Sequence, residues 1–280
     1  MAFNTLQTIL LLSATITPAL SVPTIHQRNA ACTKASLGAA ADAYVAAQTA
    51  GSISGLQSLL ASNWTYTENN KVIAHNKGLL HKALKLDHRR TNHDLVQCAT
   101  YTELVSAGGP YVIGTQIRHD AEGKINSIDT IATTTGSWLF NASKTLEYIK
   151  KESWPLIPEA KWDSREVIQA AGDHYMDMWS SPDAHTKVPW GTPCVRLEGS
   201  AYTGKGLPDD SCTPGIPSNH SQAPNTHRRY VIDQEMGSVS IFCVWEHMMN
   251  AADNHEFRLE NGKLRYVHTM TECGGKVCKL

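Results

Sequence analysis

The chain has 280 residues, with 25 Lys plus Arg, 26 Asp plus Glu and a hydrophobic fraction of 41%. That length fits two domains of ordinary size, each with room for its own core. The near-neutral balance excludes a basic nucleic-acid stripe and an acidic solvating tail, so nucleic acid is not an expected partner.

Residues 1–21 read as a signal peptide. Leu6 to Leu20 is mostly apolar, carries no charged side chain, and is too short and polar to span a bilayer. It ends in Ala19-Leu20-Ser21, with small residues at the two positions a signal peptidase reads. Asn63-Trp64-Thr65, Asn141-Ala142-Ser143 and Asn219-His220-Ser221 are glycosylation sequons. The expected location is the secretory pathway, secreted or lumenal, where the seven cysteines should mostly pair. Cys32 and Cys98 would tie the N-terminal segment to the first sheet. Cys194 and Cys212 flank a loop rich in Gly, Pro and Asp and should staple it. Cys243 lies in the strand-like run Val239–Trp245 and reads as a buried free thiol. Cys273 and Cys278 enclose a small terminal loop, and the sequence leaves their pairing open. There is no Cys-x-x-Cys, so neither a zinc site nor a redox motif is expected.

Along the chain, residues 36–60 predict a long helix and then a shorter one, followed by a strand at 64–67. A His/Lys-rich stretch (75–90) leads to strands at 92–105, 110–119 and 125–134, with turns at Gly108-Gly109-Pro110 and Ala121-Glu122-Gly123. Residues 136–162 form a Trp/Pro-rich linker. Trp138, Trp154 and Trp162 within it imply packing across the two halves. A helix at 164–180 and a strand at 196–203 follow. After a loop at 204–226 come strands at 229–235, 237–246, 254–260 and 263–272.

The two halves read as one duplicated domain. His88-Arg89-Arg90-x-x-x-Asp94 recurs as His227-Arg228-Arg229-x-x-x-Asp233, 139 positions on (227 − 88). Gly123-Lys124-Ile125 recurs as Gly262-Lys263-Leu264 at the same offset, and Ala39-Ala40-x-Asp42-x-Tyr44 as Ala170-Ala171-x-Asp173-x-Tyr175, 131 on (175 − 44). A unit of this length is a domain and not a solenoid repeat. The expected division is repeat 1 at 32–135, linker 136–162, repeat 2 at 163–273 and a tail at 274–280. The duplicated motif reads as structural, through ion pairs Arg90–Asp94 and Arg229–Asp233.

Helices followed by a curled antiparallel sheet, ending in Gly-Lys-[Ile/Leu], resemble the NTF2-like cone of the SnoaL and ketosteroid-isomerase proteins. The resemblance implies an α+β fold of two tandem cones, each a natural small-molecule cavity. More closely, Asn63-Trp-Thr-Tyr-Thr-Glu-Asn-Asn-Lys71, Gln97-Cys-Ala-Thr-Tyr-Thr-Glu-Leu104 and Tyr111-Val-Ile-Gly-Thr-Gln-Ile-Arg-His119 look like a fungal secreted family. So do Val188-Pro-Trp-Gly-Thr-Pro-Cys194, Arg196-Leu-Glu-Gly, Tyr202-Thr-Gly-Lys-Gly, Pro208-Asp-Asp-Ser-Cys212 and His255-Glu-Phe-Arg-Leu. One group of that family is similar to the hetero-Diels–Alderases of tropolonic sesquiterpene biosynthesis. That resemblance implies dehydration of a hydroxymethyl tropolone-type precursor to an o-quinone methide, and its cycloaddition with a humulene-type sesquiterpene.

Such a reaction needs an acid, a donor for the tropolone oxygens and a dry pocket that holds two reactants. It needs no cofactor or metal, and the chain carries no metal, nucleophile-elbow or dinucleotide motif. The candidate catalytic residues are Tyr66, Lys71 and His119: Tyr66 to protonate the leaving hydroxyl, Lys71 to pair with the tropolonate, His119 as an acid. Candidate substrate contacts are Glu68, Arg118, Asp129, Trp138, Trp245 and His268. Two other functions fit the same sequence. One is a secreted small-molecule-binding protein without catalysis. The other is an isomerase of ketosteroid-isomerase type with Asp129 as base opposite Tyr66. The sequence leaves room for a homodimer.

Overall fold

The computed structural model describes Met1 and residues 32–279. Apart from Met1, the segment read as a signal peptide lies outside the described residues. The first unit opens with α1 (Lys34–Ala50). It continues with β1 (Leu60–Glu68), β2 (Lys71–Val72), β3 (His88–Asp94), β4 (Ala99–Ser106), β5 (Tyr111–His119) and β6 (Ile125–Thr133). A linker helix, α2 (Ala142–Ile149), leads to the second unit. That unit holds α3 (Arg165–Asp177), α4 (Pro182–Lys187), β7 (Val195–Glu198), β8 (Ala201–Tyr202), β9 (Asn225–Asp233), β10 (Ser238–Trp245), β11 (Ala251–Glu260) and β12 (Lys263–Glu272).

Each unit contains one six-stranded sheet. The orders, β2-β1-β6-β5-β4-β3 and β8-β7-β12-β11-β10-β9, are identical once the repeat is allowed for. The protein is thus two tandem α+β domains with curved sheets. The sheets are mixed and not purely antiparallel as expected: β1 runs parallel to β6, and β7 parallel to β12. After β2 and after β8 the chain crosses to the far edge of its sheet, and the antiparallel meanders β3-β4-β5-β6 and β9-β10-β11-β12 return to lay their last strand beside β1 and β7, which no hairpin could pair in parallel.

Local chemistry sets the helix ends. Thr33 caps α1 in a reciprocal pair with Ser36, and Gly51 ends it at φ 64°. Ser164 caps α3 and Asn141 caps α2. The second helix expected before residue 60 is a single turn at 57–59. The stretch expected as one strand at 92–105 is instead a hairpin. Asp94 Oδ1 accepts the amides of Val96 and Gln97 there, turning the chain between β3 and β4.

The layers run helix, sheet, sheet, helix. α1 covers the outer face of the first sheet through Ala40, Tyr44 and Ala47, and α3 covers the second through Ile168, Ala171 and Tyr175. The inner faces pack on each other: Tyr101, Val105, Val112 and Ile131 meet Val231, Phe242 and Met270. Tyr101 and Phe242 form an edge contact at 6.2 Å. This face is covered within the chain, so a homodimer would form through other surfaces.

The disulfides are Cys32–Cys98, Cys194–Cys212 and Cys273–Cys278, and Cys243 is free and buried. They suit an oxidising compartment. Asn63, Asn141 and Asn219 are all exposed. Among the described residues no helix is long and apolar enough to cross a membrane.

The expected ion pairs within each duplicated motif do not form. Asp94 pairs instead with Arg165 through two contacts of 2.8 Å. Arg90 reaches Glu103 at 2.9 Å and Glu256 at 2.5 Å, and Arg229 reaches Asp129 at 2.6 Å. Residues four apart on a strand share a face but stand about 13 Å apart, beyond the reach of an ion pair. Glu103 is the cross-strand neighbour of Arg90 on β4, and the other partners come from the opposing domain. The linker joins this seam: Trp154 lies 3.5 Å from the Arg90 guanidinium and stacks on Tyr266 at 5.3 Å.

Candidate functional site

The two cones differ in what fills them. In the first, the segment 75–84 folds back into the mouth and buries Leu79, Leu80 and Leu84. Gln48 holds it by donating to the carbonyls of Leu79 and Lys82, each at 3.0 Å. Glu68 Oε2 accepts from the Leu79 amide and from the Tyr66 hydroxyl, both at 2.6 Å. The fit requires glycine at 78, because a Cβ there would meet the Tyr66 ring at 2.4 Å. Tyr44 completes the interior with a 2.7 Å bond to Thr115. Burial, reinforced by the Glu68 charge, pushes the Tyr66 phenol far above its ordinary pKa, so it stays protonated.

In the second cone Trp179 replaces Gln48, 131 positions on (179 − 48), the offset that relates Tyr175 to Tyr44. No plug follows it. The loop 204–226 passes over the mouth instead. Gln222 accepts from Trp245 Nε1 at 3.0 Å, and its amide donates to the Trp179 carbonyl at 3.1 Å. Beneath lies a cavity of about 430 Å³ lined by Trp138, Trp179, Tyr202 and Trp245, with Arg196 and Glu198 among its polar groups.

Strand alternation puts these groups there. On β7, Leu197 joins the inter-sheet core, so Arg196 and Glu198 face the cone. Arg196 Nη1 donates to Glu198 Oε1 at 3.0 Å and to Tyr175 Oη at 3.2 Å, and Tyr175 Oη lies 3.5 Å from the same carboxylate oxygen. Arg196 Nε is buried and has no hydrogen-bond partner. Burial opposes the Arg196 cation, but Tyr175 and Glu198 outweigh it and raise its pKa. Burial pushes the Tyr175 phenol up.

A second polar layer sits behind the Tyr175 and Trp245 rings. β11 turns Asp253, His255 and Phe257 into the cone and Asn254, Glu256 and Arg258 to the seam. Asp253 accepts from His255 Nδ1 at 2.7 Å and from Thr271 Oγ1 at 2.6 Å. A carboxylate at Nδ1 holds a proton on that nitrogen. His255 Nε2 is buried without a partner. The Trp245 and Tyr175 rings stand 5.2 and 5.7 Å from the imidazole and separate it from the cavity. Burial and the Asp253 charge raise the Cys243 thiol well above its ordinary range, so it is no nucleophile.

Of the residues expected from sequence, Trp138 and Trp245 line this cavity. Tyr66 and Glu68 belong to the filled first cone, and Lys71 is exposed on β2. His119 Nδ1 stands 3.1 Å from the Cys98 carbonyl, and burial lowers its pKa. Arg118 spans the seam to the Tyr230 carbonyl at 2.9 Å. Asp129 is held by Arg229, and burial raises its pKa. Thr67 pairs with Asp129 on the face opposite Tyr66, so an isomerase pair of Asp129 and Tyr66 is ruled out by the pleat. His268 lies between Glu103 at 2.8 Å and Glu152 at 2.7 Å in the seam. Glu103, Glu256 and His268 converge as a cation site would, but the Arg90 guanidinium already reaches all three.

Sequence reasoning missed Tyr175, Trp179, Arg196, Glu198, Asp253 and His255 as site residues. The signal was present in part. Tyr175 ends the duplicated helix motif, while Arg196, Glu198 and His255 fall inside runs that carry the family resemblance.

A family model described as a domain of unknown function, DUF8021, matches residues 161–271, from the turn before α3 to near the end of β12. No curated protein matches the chain. Among solved structures, a crystal structure of an NTF2-like protein from Bacteroides fragilis is similar at 9% identity, over 80% of this chain and 94% of that one, with a TM-score of 0.19.

Proposed function

We propose that the protein is a cofactor-free enzyme that performs acid–base chemistry on an aromatic small molecule in the second cone. The observation that carries this reading is the Arg196–Glu198–Tyr175 cluster facing an aromatic cavity. A carboxylate beside a permanent cation and a protonated phenol can take a proton from one oxygen and return it to another. The Trp138, Trp179 and Trp245 rings keep the space apolar, which strengthens each charge interaction and limits hydration of a reactive intermediate.

The specific reaction we propose, from the sequence resemblance, is that of a hetero-Diels–Alderase of fungal secondary metabolism. Arg196 holds the tropolone oxygens, and Glu198 removes the ring hydroxyl proton. The same proton passes to the hydroxymethyl oxygen, which departs as water and leaves an o-quinone methide. The humulene double bond then adds across the O=C–C=CH₂ unit, forming one C–C and one C–O bond. Holding the two partners in one orientation lowers this barrier by several kcal/mol, roughly 7–11 at best. His255 and Asp253 act as positioning residues that support the Tyr175 and Trp245 rings.

The test is incubation of the purified glycoprotein with a hydroxymethyl tropolone and humulene, followed by chiral product analysis. Faster formation of one enantiomer supports the reading. Binding of the tropolone without any change in rate or enantiomeric excess would favour a binding protein without catalysis.

A further inference from the structure

A second cavity, of about 640 Å³, lies on the other side of Tyr202, which lines both. It opens at the seam between α2, the loop 204–210 and β12. Its wall is aromatic: Tyr148 stacks on Tyr202 with ring centres 4.6 Å apart and planes 5° from parallel. Its charge is positive, because Lys205 and Arg265 line it together with Lys151, which pairs with Glu147 at 2.8 Å. The lone acidic residue among its lining is Asp210, and that carboxylate is committed. Its Oδ2 accepts the amides of Lys205 and Gly206 at 2.9 Å and of Leu207 at 3.2 Å.

Arg265 is the informative group. Its Nη1 is buried and has no hydrogen-bond partner, while its guanidinium lies 4.1 Å from the Tyr266 ring centre. A buried donor on a permanent cation calls for an anionic acceptor, and the guanidinium fork suits a carboxylate best. The wall is also built in advance. The Cys194–Cys212 disulfide closes the loop, Asp210 folds its tip, and Gly204 lies so close that a Cβ would meet the Tyr202 ring at 2.8 Å.

We propose that this seam cavity binds a planar organic carboxylate. Its ring stacks against the Tyr148–Tyr202 wall and its carboxylate meets Arg265, with Lys151 and Lys205 at the rim. Offset stacking accounts for planarity, and the surplus of cations for the charge. The site is separate from the proton-transfer cluster of the second cone and stands or falls independently of it.

The experiment is calorimetric titration of the full glycoprotein with 2-naphthoate, with neutral 2-naphthalenemethanol and with non-planar cyclohexanecarboxylate. Naphthoate should bind at least about tenfold more tightly than either, the value of one charge-assisted hydrogen bond or one good ring stack. Arg265→Gln should weaken naphthoate by about tenfold. The exposed-loop variant Lys205→Glu, which leaves the buried wall alone, should weaken it several-fold and flatten its salt dependence. Met248→Ala, in the wall of the cone cavity, should leave binding unchanged, which separates this site from the cone. No naphthoate binding, equal affinity for the neutral analogue, or full affinity in both Arg265→Gln and Lys205→Glu would overturn the proposal. Loss in Met248→Ala with retention in Arg265→Gln would move the carboxylate to the cone and overturn it as well.

Discussion

Asp94 and Asp233 occupy the same place in the two repeats, and each accepts a backbone amide from the other's strand. Asp94 Oδ2 takes the Ile232 amide at 2.9 Å, and Asp233 Oδ2 takes the His93 amide at 2.7 Å. The donors are themselves repeat partners, 139 apart (232 − 93). This reciprocal clasp explains why the motif ends in Asp twice. Each aspartate joins the two domains with one carboxylate oxygen and turns its own hairpin with the other.

Asp94 should matter more than Asp233. Asp94 is fully buried and also carries the two contacts to Arg165, whereas Asp233 adds the Met236 amide and a long 3.9 Å contact to His93 Nδ1. Asp94→Ala should cost about 3–5 kcal/mol, because it strands a partly buried guanidinium. Asp233→Ala should cost about 1–3 kcal/mol. Denaturant titration of both variants checks this, and equal losses would contradict the assignment.

The seam should weaken at alkaline pH. Burial opposes the His268 cation, but Glu152 and Glu103 outweigh it and raise the pKa from the ordinary 6.5 to about 10. A raised folded pKa means the contribution is complete below pH 6.5 and disappears as pH rises toward about 10. Glu103 is shifted well down: burial opposes its charge, and Arg90 and His268 overcome it. Its contribution is present above the ordinary carboxylate range and lost in strong acid. Melting temperature followed against pH should fall between neutrality and pH 10 in the wild type, and His268→Gln should flatten that limb. An unaltered slope in the variant would place the titrating group elsewhere.

Trp154 should act as the linker's anchor. It covers Arg90 and stacks on Tyr266, and its Nε1 donates to Glu152 at 2.8 Å. Trp154→Ala should cost about 3–5 kcal/mol and raise hydrogen exchange along β3 and β12 before the cone interiors. Uniform loss of protection would show that the linker does not hold the seam locally.

Much of the fold was legible because it was written twice. The strand periodicities and repeated turns survive in both halves, and Cys194 and Cys212 flank the loop that they staple. Local propensity did not reveal α2, since 142–149 sits in a linker read from its Trp and Pro residues. Nor did it reveal the parallel β1–β6 and β7–β12 pairings, which depend on contacts far apart in sequence. The site was harder for the same reason. Tyr175, Arg196 and His255 come from a helix and two strands that meet only after the second sheet closes. Tyr66 resembled a catalytic tyrosine because nothing local announces that residues 75–84 fill the cone in front of it.

The first cone should therefore be silent in catalysis. Tyr66→Phe removes one bond to Glu68 and should cost about 1 kcal/mol in stability, and Lys71→Ala should cost less. Neither should change initial rate or product handedness. A large rate loss in Lys71→Ala, whose side chain is exposed on β2, would relocate the chemistry.

The most direct measurement is the initial rate and enantiomeric excess of Glu198→Gln with the tropolone and humulene pair, beside Tyr66→Phe and Trp245→Ala. Glu198→Gln keeps the shape of the cluster and removes its proton acceptor. Its rate should fall by about 10²–10⁴-fold toward the uncatalysed value, while folding is retained. Trp245→Ala should instead erode enantiomeric excess with turnover partly intact, because it opens the wall that orients the partners. Wild-type rate and selectivity in Glu198→Gln, with a loss in Tyr66→Phe, would contradict the assignment of chemistry to the second cone.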